Sequence, residues 1–386
     1  MKQHGGRDFV RHMPDSAKAF RKGESIWRLI HIDPWLMLGL LLLSASGIYI
    51  LMSASGHSDF MVKRQLAFFT VAYIAMIGIA QVPVPLLERS GKWLYIAGII
   101  LLVLVLLIGV GAKGAQRWLS LGFIRFQPSE VLKLAMPLCI AAYLGGRALP
   151  PKFKHILGCL AIIGLPALLI LKQPDLGTAI LVSASGLIAL FLAGLSWRYI
   201  LGSIIIIGAA SVPMWHFVMH DYQKQRVLTL LNPEADRLGA GWNIIQSKTA
   251  IGSGGIEGKG WMKGTQSQLD FLPESHTDFI IAVLAEEFGL KGVLMLLSLY
   301  AAIVIRGLMI AWQAQSHFGR LLAGSVTLTF FVYVFVNVGM VSGILPVVGV
   351  PLPLVSLGGT SLVTLMAGFG LLMAVATAPR KTQQTS

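Results

Sequence analysis

Long apolar runs separated by short polar stretches make up most of this chain. Ten of the runs, 15 to 27 residues long, lie close to the roughly 17 to 25 residues with which a helix crosses a bilayer. They do not alternate apolar and polar residues with a period of two, so an outer-membrane β-barrel is excluded. The pattern predicts transmembrane helices over residues 34–53, 66–82, 93–111, 130–144, 155–171, 177–195, 199–218, 279–305, 321–342 and 361–378.

The composition excludes an ordinary soluble protein. Hydrophobic residues make up 55% of the 386 residues, charged residues make up 12%, and the mean hydropathy is +0.74. Soluble domains carry about 25% charged residues. Backbone groups in lipid must be satisfied within their own segment, which favours helices. We therefore predict an all-α polytopic membrane protein with about ten transmembrane helices.

The net charge of +14 reflects the orientation of the chain in the membrane. With both termini in the cytoplasm, 17 Lys or Arg fall on cytoplasmic segments and 6 on the short outer connections. This distribution follows the positive-inside rule, so no nucleic-acid partner is predicted. Residues 1–30 hold seven Lys or Arg and no apolar core, which predicts a cytoplasmic tail and not a cleaved signal peptide. Residues 379–386 are predicted to form a second cytoplasmic tail.

A single membrane domain is predicted over residues 31–378, and it includes one long extracytoplasmic loop between spans 7 and 8. This loop covers residues 219–277, and loops longer than about 15 residues are usually functional or disordered. Apolar and basic residues are mixed in 222–231 and 242–251, as in helices that lie along a membrane surface. Long loops are exempt from the positive-inside rule, so the basic residues here are available to bind an anionic ligand.

Two ionisable motifs precede predicted spans, where a charge is costly and is a default functional candidate. Glu130 and Lys133 are three residues apart and can pair on one helix face. The alternative is that Pro128 and Glu130 only mark a helix start. Asp175 follows Gln173-Pro174 in a tight outer turn, and its alternative role is to cap the next helix.

Two further acidic motifs lie at the eighth predicted span. Asp278 closes the long loop at the outer edge of the bilayer, where a general base for a lipid-anchored substrate is needed. Ser275 and Asp278 also have the spacing of a capping box, which is the structural alternative. For the adjacent Glu286 and Glu287, the spacing favours an ion pair between Glu287 and Lys291, leaving Glu286 unexplained.

Several other sequence features do not indicate a catalytic or binding site. The glycines from 252 to 260 lack the spacing of a phosphate-binding loop, so no nucleotide is predicted. Cys139 and Cys159 lie inside apolar spans and offer neither a disulfide framework nor a metal site. The uncharged, proline-containing run from Pro346 to Gly359 predicts a re-entrant or broken segment buried against protein.

Together, the ionisable residues indicate a cavity that opens to the outer leaflet and accepts a phosphate-carrying lipid. Arg and Lys can neutralise a pyrophosphate leaving group, and a carboxylate can accept a proton from an attacking hydroxyl. No motif supplies a nucleophilic Ser or Cys, which favours direct displacement. The predicted cavity residues are Asp278, Asp175, Glu130 and Lys133, with Lys224, Arg226, Lys248, Lys259 and Lys263 above them.

Six strings between about residues 30 and 375 resemble, in order and spacing, the SEDS family (shape, elongation, division and sporulation), above all its elongation member. The departures are a long N-terminal tail and Leu357 in place of an expected tyrosine. The strings are FQPSE at 126–130, QPDLGT at 173–178, HDYQKQRV at 220–227, GTQSQ at 264–268, FLPESHTDF at 271–279 and GVPLPLVS at 349–356.

The resemblance implies a ten-span peptidoglycan glycosyltransferase that polymerises lipid II on the outer face of the cytoplasmic membrane during cell elongation. It implies that Asp278 is the catalytic residue, and that Glu130, Lys133, Asp175, Lys224 and Arg226 belong to the cavity. It also implies a class B penicillin-binding protein partner within the rod-shape elongation complex, and dependence on a divalent cation of unknown identity.

Two other functions fit charges in a multi-span cavity. A transporter or flippase for lipid-linked precursors is one, although the sequence has no inverted repeat. The other is a non-catalytic scaffold of the elongation complex, for which neutralising Asp278 would have no effect in cells.

Overall fold

The computed structural model describes Trp27 and residues 30–112, 115–120, 125–236, 239–269, 271–272 and 274–379. Most of the two predicted tails, 1–30 and 379–386, lies outside the described residues. The described residues are largely helical, as predicted. Its helices are α1 Pro34–Ala54, α2 Asp59–Ala80, α3 Val84–Ile108, α4 Pro128–Gly145, α5 Phe153–Leu171, α6 Leu176–Leu192, α7 Trp197–Pro213, α8 Asp221–Leu231, α9 Ala240–Gly254, α10 Thr265–Gln268, α11 Ile280–Gln313, α12 His317–Val341 and α13 Thr360–Ala376.

Each of the ten predicted spans coincides with one of these helices. Seven helices in the described part of the chain are long and apolar enough to cross a membrane: α1, α2, α3, α5, α7, α11 and α12. A π-helical turn extends α7 to Phe217 within this span. The apolar helices α6 and α13 have 17 residues each, about 25 Å at 1.5 Å per residue. The protein is a multi-pass membrane protein, and ten crossings stay a prediction.

A small antiparallel sheet interrupts the helical pattern between α3 and α4. Its strands are β1 Val110–Ala112, β2 Ala115–Ser120 and β3 Arg125–Phe126, in the order β1-β2-β3. Leu119 pairs with Phe126, and this pairing brings the end of β2 beside the start of α4. The sheet therefore places the side chains of β2 next to the first turn of α4.

The helices α4, α12 and α13 form the centre of the bundle, and most of their apolar side chains are buried. Close packing between α2 and α13 depends on Gly370, because a Cβ there would lie 2.5 Å from the carbonyl oxygen of Met76. Small residues of this kind let membrane helices approach closely. By contrast, α7 has no buried residue, so the bundle does not enclose it.

The long loop contains the two helices predicted for it, α8 and α9. The apolar face of α9 is covered by protein, since α9 packs against α11 and Ile244, Ser247 and Ala250 are buried. Helix α9 therefore packs on the bundle, and its position along the membrane surface stays a prediction.

Helix α11 is broken at Gly289, which has φ 63° and ψ −160°. The connecting turn, residues 255–260, supplies the hydrogen bonds that the break removes. Lys259 N donates to the carbonyl oxygen of Glu286 at 3.0 Å, and Leu290 N donates to the carbonyl oxygen of Gly255 at 2.9 Å. The glycine-rich run of the long loop thus forms hydrogen bonds with the backbone of α11 at its break.

The predicted ion pair between Glu287 and Lys291 is wrong, because the break at Gly289 lies between them. Lys291 Nζ instead contacts Glu257 Oε1 at 2.6 Å, and Glu287 Oε1 accepts a 2.5 Å hydrogen bond from Ser53 Oγ. Glu286 also has a role. It is buried and accepts hydrogen bonds from Lys259 Nζ and from the first backbone N–H groups of α10, so it anchors the long loop.

We expect Gly289→Ala to destabilise the protein. A Cβ at this position would lie 2.5 Å from Gly258 N and from Ile256 O at a positive φ, which costs more than about 1 kcal/mol. The midpoint of thermal unfolding in detergent should fall by roughly 2–4 °C for each kcal/mol. The control is Gly252→Ala on α9, where a Cβ would meet nothing within 4 Å. Equal midpoints for the two variants would contradict this account of the break.

Candidate active site

A cavity of about 1120 Å³ lies among α2, α4, α6, α12 and α13, next to the small sheet. Its volume exceeds the range of about 300–1000 Å³ that is usual for small-molecule sites. Charged side chains and a mainly apolar wall share the same space, so the cavity suits an amphipathic ligand. The charged residues that line it are Arg64, Arg117, Glu130, Lys133 and Asp175.

Glu130 and Lys133 form the predicted pair on α4. Lys133 Nζ lies 2.6 Å from Glu130 Oε1, and both side chains are nearly buried. Pro128 opens the helix and Glu130 lies in its first turn, so the helix-start interpretation also holds. Glu130 Oε2 is buried and has no hydrogen-bond partner among the described residues. The pair therefore keeps one unused acceptor at the cavity wall.

Asp175 caps α6 and lines the cavity at the same time. Its carboxylate accepts hydrogen bonds from Thr178 N at 3.1 Å and from Thr178 Oγ1 at 2.9 Å, as the capping interpretation predicts. Gln127 Nε2 donates to Oδ2 at 3.3 Å, and Arg117 Nε lies 3.6 Å from the same atom. The carboxylate that caps α6 thus also contacts β2 and the residue before α4.

Asp278 is half-buried and does not cap α11. The helix begins at Ile280 after Phe279, without a side-chain cap, and Ser275 Oγ donates to the carbonyl oxygen of Ala54 instead. The capping-box interpretation is therefore wrong. Asp278 also lies behind the cavity wall and is not part of its lining. A Cβ on Gly349, which does line the cavity, would be 3.4 Å from Asp278 Oδ2.

The proline-containing run after α12 separates Asp278 from the cavity. No helix forms between Val341 and Thr360, and the side chains from Leu352 to Ser356 are buried. This matches the predicted broken segment buried against protein. Gly349 has φ 76°, and it both lines the cavity and lies next to the Asp278 carboxylate.

The predicted basic residues of the long loop do not line this cavity. Lys224 and Arg226 lie on α8. Lys248 is exposed on α9, beside Gly343, where a Cβ would lie 2.7 Å from Lys248 Nζ. Lys259 is paired with Glu286 at 2.7 Å. The predicted layer of cations above the site is thus distributed over α8, α9 and the connecting turn.

Sequence reasoning missed Arg64, Arg117 and Tyr333 as cavity residues. The two arginines entered only as charges on outer connections, because a charge count does not say which way a side chain points. Arg117 Nη2 donates to the carbonyl oxygen of Pro174 at 2.6 Å. Tyr333 lies beneath the predicted pair, with its ring centroid 5.3 Å from Lys133 Nζ.

Comparison with known proteins places the chain in a family of membrane proteins. Residues 26–381 match the cell cycle protein family of FtsW, RodA and SpoVE. The chain is 55% identical over 355 residues to peptidoglycan glycosyltransferase MrdB of Escherichia coli strain K12, covering 92% of this chain and 96% of that protein. It is 36% identical over 365 residues to the probable peptidoglycan glycosyltransferase FtsW of Trichlorobacter lovleyi, covering 90% and 93%.

Solved structures agree with this grouping. RodA, the rod shape determining protein of Thermus thermophilus, matches with a TM-score of 0.67 at 28% identity, over 89% of this chain and 96% of that chain. A chain from a peptidoglycan synthase complex, described as coordinating polymerization and crosslinking, matches with a TM-score of 0.79 at 31% identity, over 89% and 97%. The protein belongs to the SEDS family, and it is more similar to MrdB than to the FtsW relative.

Proposed function

We propose that this protein is a peptidoglycan glycosyltransferase that polymerises lipid II into glycan strands during cell elongation and releases undecaprenyl pyrophosphate. One observation carries the proposal: the carboxylate of Asp278 adjoins, across Gly349, a cavity lined by Glu130, Lys133 and Asp175. The enzyme names of the relatives at 55% and 36% identity support the same activity.

In the proposed reaction, Asp278 acts as general base. It takes the proton from the 4-hydroxyl of the acceptor's N-acetylglucosamine, and that oxygen attacks C1 of the donor's N-acetylmuramic acid. The bond from C1 to the pyrophosphate oxygen breaks, the configuration at C1 inverts, and the pyrophosphate takes the electron pair. A carboxylate placed at the attacking hydroxyl suits this role, and no covalent enzyme intermediate is needed.

The charged residues of the cavity wall are assigned to substrate binding. Lys133 and Arg117 offer positive charge inside the cavity, and a cation can bind pyrophosphate by charge-assisted hydrogen bonds. Lys224, Arg226 and Lys248, which lie outside the cavity lining, are proposed to hold the lipid-linked pyrophosphate or the glycan strand near its entrance. Glu130 and Asp175 then position these groups and the acceptor sugar.

We propose that the protein lies in the cytoplasmic (inner) membrane, with both termini in the cytoplasm and the active site facing outward. The distribution of Lys and Arg supports this orientation. A class B penicillin-binding protein transpeptidase of the rod-shape elongation complex is the proposed partner. The structural similarity to a chain from a synthase complex that combines polymerization with crosslinking supports such a partner.

The donor set does not fit a resident metal ion. Within the described residues, His, Cys, Asp and Glu form no group of three that could hold one. A divalent cation needed for activity would therefore take ligands from the pyrophosphate, as Mg²⁺ commonly does. No step of the reaction above depends on it, and a chelator added to the polymerisation assay tests the requirement.

Purified protein in proteoliposomes with labelled lipid II tests the function. We expect chain growth, seen as a ladder of glycan products on a gel. Leaflet exchange of lipid II without growth would support the flippase alternative, and neither growth nor exchange, with or without the transpeptidase, would support the scaffold. Either of these results would overturn the proposed activity.

A further inference from the structure

Three consecutive backbone carbonyl groups in the segment that carries Asp278 accept hydrogen bonds from α12 and from the broken segment that follows it. The carbonyl oxygen of His276 accepts a hydrogen bond from Leu357 N at 2.9 Å. The carbonyl oxygen of Thr277 accepts one from Ser356 Oγ at 2.5 Å, and that of Asp278 accepts one from Asn337 Nδ2 at 2.8 Å. The backbone just before α11 is therefore fixed without a helix cap.

Asn337 links this segment to the cavity wall. It is fully buried on α12, and its Nδ2 also donates to the carbonyl oxygen of Val350 at 2.7 Å. Two carbonyl acceptors identify this atom of the amide as nitrogen. The Oδ1 atom is buried and has no hydrogen-bond partner in the described part of the chain. An amide kept buried with an unused acceptor calls for an explanation beyond packing.

Ser356 makes a second link of the same kind. Its Oγ donates to Thr277 O and accepts a 2.8 Å hydrogen bond from Leu352 N, and its side chain is buried. The hydroxyl thus ties the turn around Pro353 to the residue preceding Asp278. Together, Asn337 and Ser356 fix Asp278 relative to Gly349, the residue that separates it from the cavity.

We propose that Asn337 and Ser356 are positioning residues that hold the Asp278 carboxylate against the cavity at Gly349. This inference rests on the proposed function, with Asp278 as the base. A shift of the backbone at Asp278 also moves its carboxylate, and no side chain caps α11 at this point. Removing either link frees one of the carbonyl groups that fix this segment, and a misplacement of about 1 Å can cost about 100-fold in rate.

The test is lipid II polymerisation by the full-length variants Ser356→Ala and Asn337→Leu. We expect kcat to fall by about 10- to 100-fold in each, with the KM for lipid II changed less than about two-fold because the cavity wall keeps its charged residues. Ser356→Thr retains a hydroxyl and should recover most of the lost kcat. Asp278→Asn is measured beside them as the reference for loss of the base.

Ser325→Ala and Thr327→Val are the matched controls. Both hydroxyls are as deeply buried on α12 as Asn337, and each donates to carbonyl oxygens of its own helix. The controls should keep the wild-type kcat per folded molecule, with folding measured by thermal unfolding in detergent. A merely structural role for Ser356 and Asn337 would lower the unfolding midpoint and leave kcat per folded molecule unchanged.

The outcomes separate this inference from the function on which it rests. If Asp278→Asn is inactive while Ser356→Ala and Asn337→Leu keep wild-type kcat, the positioning role is wrong and the proposed base stands. If Asp278→Asn keeps full activity, the base assignment fails first, and the positioning role fails with it.

Discussion

We expect Asp278→Asn to abolish lipid II polymerisation by the purified protein and to leave it folded. The amide has the shape of the carboxylate but cannot accept the proton of the attacking hydroxyl. General-base catalysis typically accelerates a reaction by about 10²- to 10⁴-fold. The polymerisation rate should therefore fall by at least this factor. Stability should change little, because Asp278 is half-buried and does not cap α11. A gel of labelled products and a thermal unfolding curve measure the two effects.

Glu257→Gln is the control for Asp278→Asn. Glu257 is an exposed carboxylate of the same long loop, and its partner Lys291 is exposed too. Exposed ion pairs contribute about 0–1 kcal/mol, so this variant should polymerise at the wild-type rate. Asp278→Glu keeps a carboxylate on a longer arm and should retain a small part of the activity. Full activity in Asp278→Asn would remove the base from the mechanism.

The helical architecture could be predicted from the sequence, because hydropathy and length decide where a membrane helix lies. Each of the ten apolar runs became a helix. The small sheet between α3 and α4 was missed, since its strands are two to six residues long and carry too few positions for a periodicity. The break in α11 was also missed, because the segment that supplies its hydrogen bonds lies more than 25 residues earlier in the chain.

Local spacing predicted some site contacts and missed others for one physical reason. The Glu130–Lys133 pair and the Asp175 cap are interactions within one turn, so a spacing of three residues determines them. Glu286 with Lys259, and Asp278 with Gly349, join segments that are distant in sequence. Such contacts depend on how the long loop and the broken segment fold back on the bundle.

The Glu130–Lys133 pair gives the second large effect. Lys133→Met leaves the Glu130 carboxylate without its cation, and Glu130→Gln leaves the Lys133 ammonium without its anion. Both side chains are nearly buried, and removing one partner of a buried pair typically costs about 3–5 kcal/mol. We expect each single variant to unfold at a clearly lower temperature in detergent and to lose polymerisation.

The double variant Glu130→Gln/Lys133→Met separates stability from function. No unpaired charge remains, so its unfolding midpoint should return close to that of the wild type, because replacing a whole buried pair is often neutral. Polymerisation should stay lost, since both Glu130 and Lys133 line the cavity. A double variant with wild-type activity would show that the pair only stabilises the fold.

Asp33 and Arg306 provide the matched pair outside the cavity. Asp33 is buried, caps α1, and lies 2.5 Å from Arg306 Nη2 through its Oδ2 atom, and neither residue lines the cavity. Asp33→Asn/Arg306→Met keeps a capping side chain and removes both charges, so this double variant should keep both stability and polymerisation. Loss of activity in both double variants would mean that the assay reports stability in the membrane. Loss of activity in the Glu130/Lys133 double variant alone would show that these two charges act on the substrate.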